Sequence, residues 1–131
     1  MADIIEKELS YKVVGILMDI HRQLGNRYQE KYYQRAIAVA LKRNGLDFKQ
    51  ELSINLNYAG EKIGRYSLDF LIENKIVLEI KCVPELKPID FKQVLAYLKA
   101  EKIELGTLVN FRPESLVYKR ILNSDLIRSN N

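Results

Sequence analysis

The feature that most constrains this chain is a change of hydrophobic period near residue 50. Upstream, apolar residues recur at helical spacing. Tyr11, Val14, Ile16, Leu17, Ile20 and Leu24 predict a helix over 8–24 that ends at Gly25-Asn26. Tyr33, Ala36, Ile37, Ala40 and Leu41 fall at i, i+3, i+4, i+7 and i+8. They predict a second helix over 28–44, closed by Asn44-Gly45. Downstream the period drops to two. Leu52, Ile54, Leu56 and Tyr58 alternate with polar residues, as do Tyr66, Leu68, Phe70 and Ile72, and then Ile76, Leu78, Ile80 and Cys82. These three strands meander, with turns at Ala59-Gly60-Glu61 and at Asn74. Pro84 and Pro88 bracket a loop. Asp90 is the expected N-cap of a third helix that runs to about Lys102 on a stripe of Phe91, Val94, Leu95 and Leu98. Residues 105–111 form an apolar strand, and residues 115–123 are a candidate last strand. The order predicts an α/β fold, a mixed sheet with helices packed on it.

At 131 residues the chain is expected to be a single domain, 1–131. Its one cysteine, Cys82, and one histidine, His21, exclude intrachain disulfides, thiolate zinc clusters and multi-histidine metal sites. Acid–base or metal chemistry therefore falls to carboxylates and lysine. The acidic amino terminus has no apolar signal core, and no stretch approaches a membrane span, so the expected location is cytoplasmic. The net charge of +4 permits nucleic-acid binding without arguing for it.

The chemistry gathers on the second and third strands. A hairpin centred on Asn74 with an odd-numbered loop sets Asp69 opposite Glu79. It also puts Leu68, Phe70, Ile72, Ile76, Leu78, Ile80 and Cys82 together on one face. The other face then collects Asp69, Glu79 and Lys81. Two adjacent carboxylates repel, and a divalent cation bridging them offsets this. Mg²⁺ or Mn²⁺ suits such oxygen ligands. A lysine beside them can orient an attacking water or stabilise phosphate charge. The same pattern also fits a solvated sheet face bearing an ordinary charge cluster. Glu-x-Lys occurs three times (Glu73–Lys75, Glu79–Lys81, Glu85–Lys87), and only the middle copy interrupts an apolar strand.

Other positions carry two readings each. Glu30 either aims a third carboxylate at the site or is a first-turn Glu favoured by the helix dipole. Gln93 and Tyr97, four apart on the third helix, either hydrogen-bond at the site or serve as a capping-box partner of Asp90 and a packing tyrosine. Lys119-Arg120 either meets phosphate or is solvated. His21 and Cys82 are expected to pack.

Taken together, strand Asp69, Leu-Glu79-Ile-Lys81 and Gln93-Val-Leu-Ala-Tyr97 resemble the PD-(D/E)XK nuclease superfamily and the Q-x-x-x-Y element of its RecB-like branch. More narrowly, the chain is similar to the GxxExxY proteins from about Ile5 to Leu122. The stretches LGNRYQEKYYQRAIAVALKRNGL, YAGEKIGRYSLDFLIENKIVLEIK, FKQVLAYLKA and LGTLVNF carry the likeness. The resemblance implies a restriction-endonuclease-like αβββαβ core. It also implies a metal-dependent nuclease acting on nucleic acid, DNA before RNA. Asp69, Glu79, the Ile80 carbonyl and Glu30 would be ligands, Lys81 would position water, Tyr33 would follow the helical Glu, and Gln93 and Tyr97 would orient the site. Asn26-Arg27 stands where the signature has Pro-Gly, which bears on the aim of Glu30. The alternative is a catalytically silent module of the same fold that binds nucleic acid or a protein partner. A homodimer is compatible with either.

Overall fold

The computed structural model describes residues 4–130. Its elements are α1 (Lys7–Leu24), α2 (Glu30–Arg43), β1 (Phe48–Tyr58), β2 (Glu61–Ile72), β3 (Ile76–Lys81), α3 (Pro88–Glu101), β4 (Leu105–Asn110), β5 (Val117–Leu122) and α4 (Ser124–Ser129). The strands form one sheet in the order β1-β2-β3-β4-β5. All neighbours are antiparallel except β3 and β4, which are parallel and joined by the α3 crossover. The α/β class and the mixed sheet flanked by helices are as expected. The short α4 buries no residue and has no amphipathic signal in the sequence. Its N-cap Asn123 is buried, donates to the Leu98 carbonyl and accepts from the Leu126 amide.

Both faces of the sheet are covered. On one, α1 and α2 bury Val13, Leu17, Tyr33, Ile37 and Leu41 against Phe70, Ile72, Ile76, Leu78, Ile80, Leu105, Val109 and Phe111. On the other, α3 buries Val94, Tyr97 and Leu98 against Leu52, Leu68, Leu71, Val77, Leu108 and Ile121. A solvated second face is therefore ruled out, because α3 lies on it. The approach is close: a Cβ on Gly106 of β4 would stand 2.6 Å from Val94 Cγ1. The α1 stripe is rotated from the expected one. Val13 faces the core, whereas Tyr11 is 83% exposed.

The β2–β3 loop has the expected odd length. Ile72 pairs with Ile76, and Glu73 and Asn74 take positive φ. The expected shared apolar face needs one correction. Phe70 packs under α1 and α2, but Leu68 packs on the α3 side. Residues two apart in a regular strand share a face, so alternation breaks at Asp69. The cause lies across the ladder, where Glu51 of β1 has φ 55° opposite Asp69, between the pairs Gln50–Phe70 and Leu52–Leu68. That one left-handed residue rolls the distal hairpin relative to the sheet. α3 also starts earlier than expected. Its N-cap is Lys87, Pro88 is in the first turn, and Asp90 is the third helical residue, accepting the Lys87 amide at 2.8 Å. The cap therefore uses Asp90 and leaves Gln93 out.

Candidate active site

The β2–β3 ladder runs from Ile72–Ile76 to Phe70–Leu78 and stops. One step further, Asp69 and Glu79 face each other, and side chains replace the ladder bonds. The Ile80 amide donates to Asp69 Oδ2 at 2.7 Å, and the Asp69 amide donates to Glu79 Oε1 at 3.2 Å. The carboxylates sit in the opening where two strands part, each anchored by a main-chain N–H. The predicted juxtaposition is present, and Glu79 is only 6% exposed, which excludes the solvated-face reading.

Lys81 Nζ lies 3.7 Å from Glu79 Oε2 and 3.7 Å from Asp90 Oδ1 of α3. From the opposite layer, α2 contributes Gln34, whose Nε2 donates to Asp69 Oδ1 at 2.7 Å and reaches Glu30 Oε2 at 3.4 Å. Glu30 is half-buried. Its carboxyl is pushed up by burial and by the Asp69 charge, and held down by Lys81. Glu79 is pushed up to about 9, chiefly by burial, then by its hydrogen bond with the Asp69 carboxylate and by that charge. Four carboxyls thus gather around a single ammonium. Hard divalent cations bind such oxygen-rich, over-acidic sets. Among the described residues, however, no three Asp, Glu, His or Cys side chains converge as a metal cage. The donors for an ion are the Asp69–Glu79 pair and main-chain carbonyls, with Glu30 one step back.

The remaining candidates separate. Tyr97 is buried in the α3-side core. Gln93 is half-buried on the same helix, and no hydrogen bond ties it to the carboxylates. The Ile80 side chain is buried beneath α1 and α2, so only its main chain meets the site. Arg120 is an anchor, donating to Ser10 Oγ at 2.8 Å and to the Ile5 carbonyl at 2.9 Å. His21 Nε2 lies 3.0 Å from the Pro113 carbonyl oxygen, and Cys82 packs against the core.

Tyr33 sets the aim of α2. Its ring stacks on Phe111 at 4.3 Å, and its hydroxyl donates to the Gly25 carbonyl at 2.6 Å. Arg112 then clasps the loop between α1 and α2, donating to the Asn26 and Tyr28 carbonyls, while Asn26 Nδ2 donates back to the Arg112 carbonyl. The departure at Asn26-Arg27 is thereby accommodated. The Asn26 side chain takes part in the clasp, and Glu30 still opens α2 beside Asp69. Gln34, Asp90 and Arg112 were missed at the sequence level. Gln34 had a signal, since it lies one turn after Glu30 on the same helix face. Asp90 and Arg112 act across elements and had none.

The model of the PD-(D/E)XK nuclease superfamily matches residues 7–121 of this chain. Among solved structures, the chain is similar to SSO0001, with 21% identity and a TM-score of 0.56 over 93% of this chain and 66% of that one. It is also similar to an alkaline exonuclease, LHK-Exo, from Laribacter hongkongensis, with 17% identity and a TM-score of 0.51 over 99% of this chain and 76% of that one. At these identities the two structures speak to the fold. No curated protein matches the chain significantly. Among the described residues, no helix is long and apolar enough to cross a membrane.

Proposed function

We propose, from the premise that this chain belongs to the PD-(D/E)XK nuclease superfamily, that it is a divalent-metal-dependent nuclease cleaving phosphodiester bonds, with DNA as its first substrate. The observation that carries this is the Asp69–Glu79 pair. It sits in a parting of two strands, Glu79 buried and Asp69 half-buried, with Lys81 on Glu79 and Glu30 beside Asp69. Burial and the neighbouring Asp69 both oppose the charge of the Glu79 carboxyl and push its pKa up, a cost that an apolar residue at this position would avoid.

Asp69 and Glu79, with the Ile80 carbonyl, would hold Mg²⁺ or Mn²⁺. The bound ion would polarise the scissile phosphate and lower the pKa of the attacking water. The chain's own residues supply the rest. Lys81 donates to the water oxygen or to a non-bridging phosphate oxygen and so lines up the attack. Asp90 and Glu79 hold that ammonium from two sides. Gln34 fixes Asp69 Oδ1 and leaves Oδ2 on the Ile80 amide. Glu30 takes a hydrogen bond from a water in the outer shell, and Gln93 faces the substrate from α3. Tyr97 supports Gln93 by packing. The finer membership is the GxxExxY group, the domain is 1–131 and the setting is the cytoplasm, with a homodimer supplying a second site where two strands are cut.

The test is Mg²⁺ and Mn²⁺ titration by calorimetry of wild type, Asp69→Asn and Glu79→Gln, each checked for folding, followed by cleavage assays on DNA and RNA. Metal binding lost in both variants, together with metal-dependent cleavage by wild type, is the expected result. No binding at millimolar metal, alone and with an uncleavable oligonucleotide, would replace this reading with the silent binding module.

A further inference from the structure

Past Leu52 and Leu68, β1 and β2 continue beyond the helices as a two-stranded ribbon. It turns at Ala59 and Gly60, both with positive φ. The register pairs Ser53 with Ser67, Asn55 with Arg65 and Asn57 with Lys62. Opposite residues share a face, so Ser53, Asn55, Asn57, Lys62, Arg65 and Ser67 form one surface. All six are exposed, all carry hydrogen-bond donor groups and none is acidic. The ladder shifts by one residue between Leu56 and Asn57. Without that shift Asn57 would oppose Ile63, and Lys62 would turn to the reverse face. The ribbon's distal acid, Glu61, pairs with Tyr58 on that reverse face.

This surface leads to the carboxylates. Ser67 and Asp69 are two apart, and Leu68 between them points to the α3 side. Strand alternation on the Ser67 side of the break therefore turns the polar ladder away from α3, toward the side from which Gln34 of α2 reaches Asp69. At the rise of a strand, and with one residue taken up by the bulge, Arg65 stands about 13 Å and Lys62 roughly 20 Å from Asp69 along the ribbon. That reach is about six-tenths of a duplex turn.

We infer that this face is a nucleic-acid-binding arm that leads a strand into the site. Lys62 and Arg65 neutralise backbone phosphates, and Asn55, Asn57, Ser53 and Ser67 hydrogen-bond phosphate and sugar oxygens. A surface of donors and cations without a carboxylate is complementary to a polyanion whose exposed atoms are acceptors. The inference rests on the nuclease reading and adds where the substrate lies.

The test uses the full chain in EDTA with fluorescein-labelled 20-mers: single-stranded DNA, duplex DNA and matching RNA. Anisotropy is read from 50 to 200 mM salt. Lys62→Gln/Arg65→Gln is compared with Lys42→Gln/Arg43→Gln, which removes equal charge from the exposed end of α2, and with Glu61→Gln. The arm variant is expected to bind at least about tenfold more weakly at 0.1 M salt. Its log–log salt slope is expected to be shallower by about 1.4 on single strands or 1.8 on duplex. Its melting temperature and Mg²⁺ affinity are expected to stay at wild-type values. The oligonucleotide showing the larger loss identifies the substrate form. Equal losses in the arm and α2 variants overturn the arm while leaving the nuclease reading intact. Failure of wild type to bind any of the oligonucleotides overturns the arm, and the same failure repeated at millimolar Mg²⁺ with an uncleavable oligonucleotide overturns both.

Discussion

Glu79→Gln isolates the largest electrostatic tension in the molecule. The Glu79 carboxyl sits at about 9 in the fold against an ordinary 4.5, because burial and Asp69 both oppose its charge. Between those values the folded protein holds a proton that the unfolded chain has released. Stability in metal-free buffer is therefore full below pH 4.5 and declines as pH rises, levelling off above pH 9. At about 1.4 kcal/mol per pH unit, the ceiling on that decline is about 6 kcal/mol. Local relaxation trims it, and a loss of about 2–4 kcal/mol between pH 5 and pH 9 is expected. Glutamine keeps the acceptor for the Asp69 amide and carries no proton to lose, so the variant should show little of this decline. Urea unfolding in EDTA at each pH unit from 5 to 9 measures both. The variant should match wild type or fall slightly below it at pH 5, and exceed it by pH 9. Saturating Mg²⁺ should reverse the order at pH 8, because it binds the ionised wild-type pair. Below pH 9, wild-type metal affinity should rise about tenfold per pH unit as binding expels the proton. Parallel pH profiles for the two proteins would refute the burial argument.

Other substitutions probe the supports. Asp69→Asn retains an acceptor for the Ile80 amide, so it should fold normally and lose metal binding in calorimetry. Lys81→Met should bind metal within a few-fold of wild type and lose roughly 10²-fold in turnover, measured by single-turnover cleavage. Tyr33→Phe removes the bond to the Gly25 carbonyl. Thermal melts should show about 1 kcal/mol of destabilisation, and hydrogen exchange should show a loosened loop before α2. Gly106→Ala forces a methyl against Val94 and should cost about 1–3 kcal/mol in urea unfolding. An unchanged midpoint would mean that α3 is not seated as closely as described.

Local periodicity determined much of this protein. Alternation and helical spacing are set by which side chains must leave water, so the first two helices, the three-strand meander and the odd β2–β3 loop follow from the residues. The opposition of Asp69 and Glu79 follows from a loop centred on Asn74 once the apolar parity of Phe70, Ile72, Ile76 and Leu78 excludes an even-numbered loop. Fold-level consequences were beyond that reach. Whether the second face is wet depends on where α3 packs, and the crossover placed it there, burying Glu79. The flip at Asp69 comes from the backbone of Glu51, a residue whose type gives no sign of positive φ. Asp90 looks like a helix start from its neighbours alone, and only the packed helix brings it to Lys81. Gln34, Asp90 and Arg112 meet partners 35, 9 and 86 residues away. Contacts of that kind have no period along the chain, and they exist only once the layers have closed.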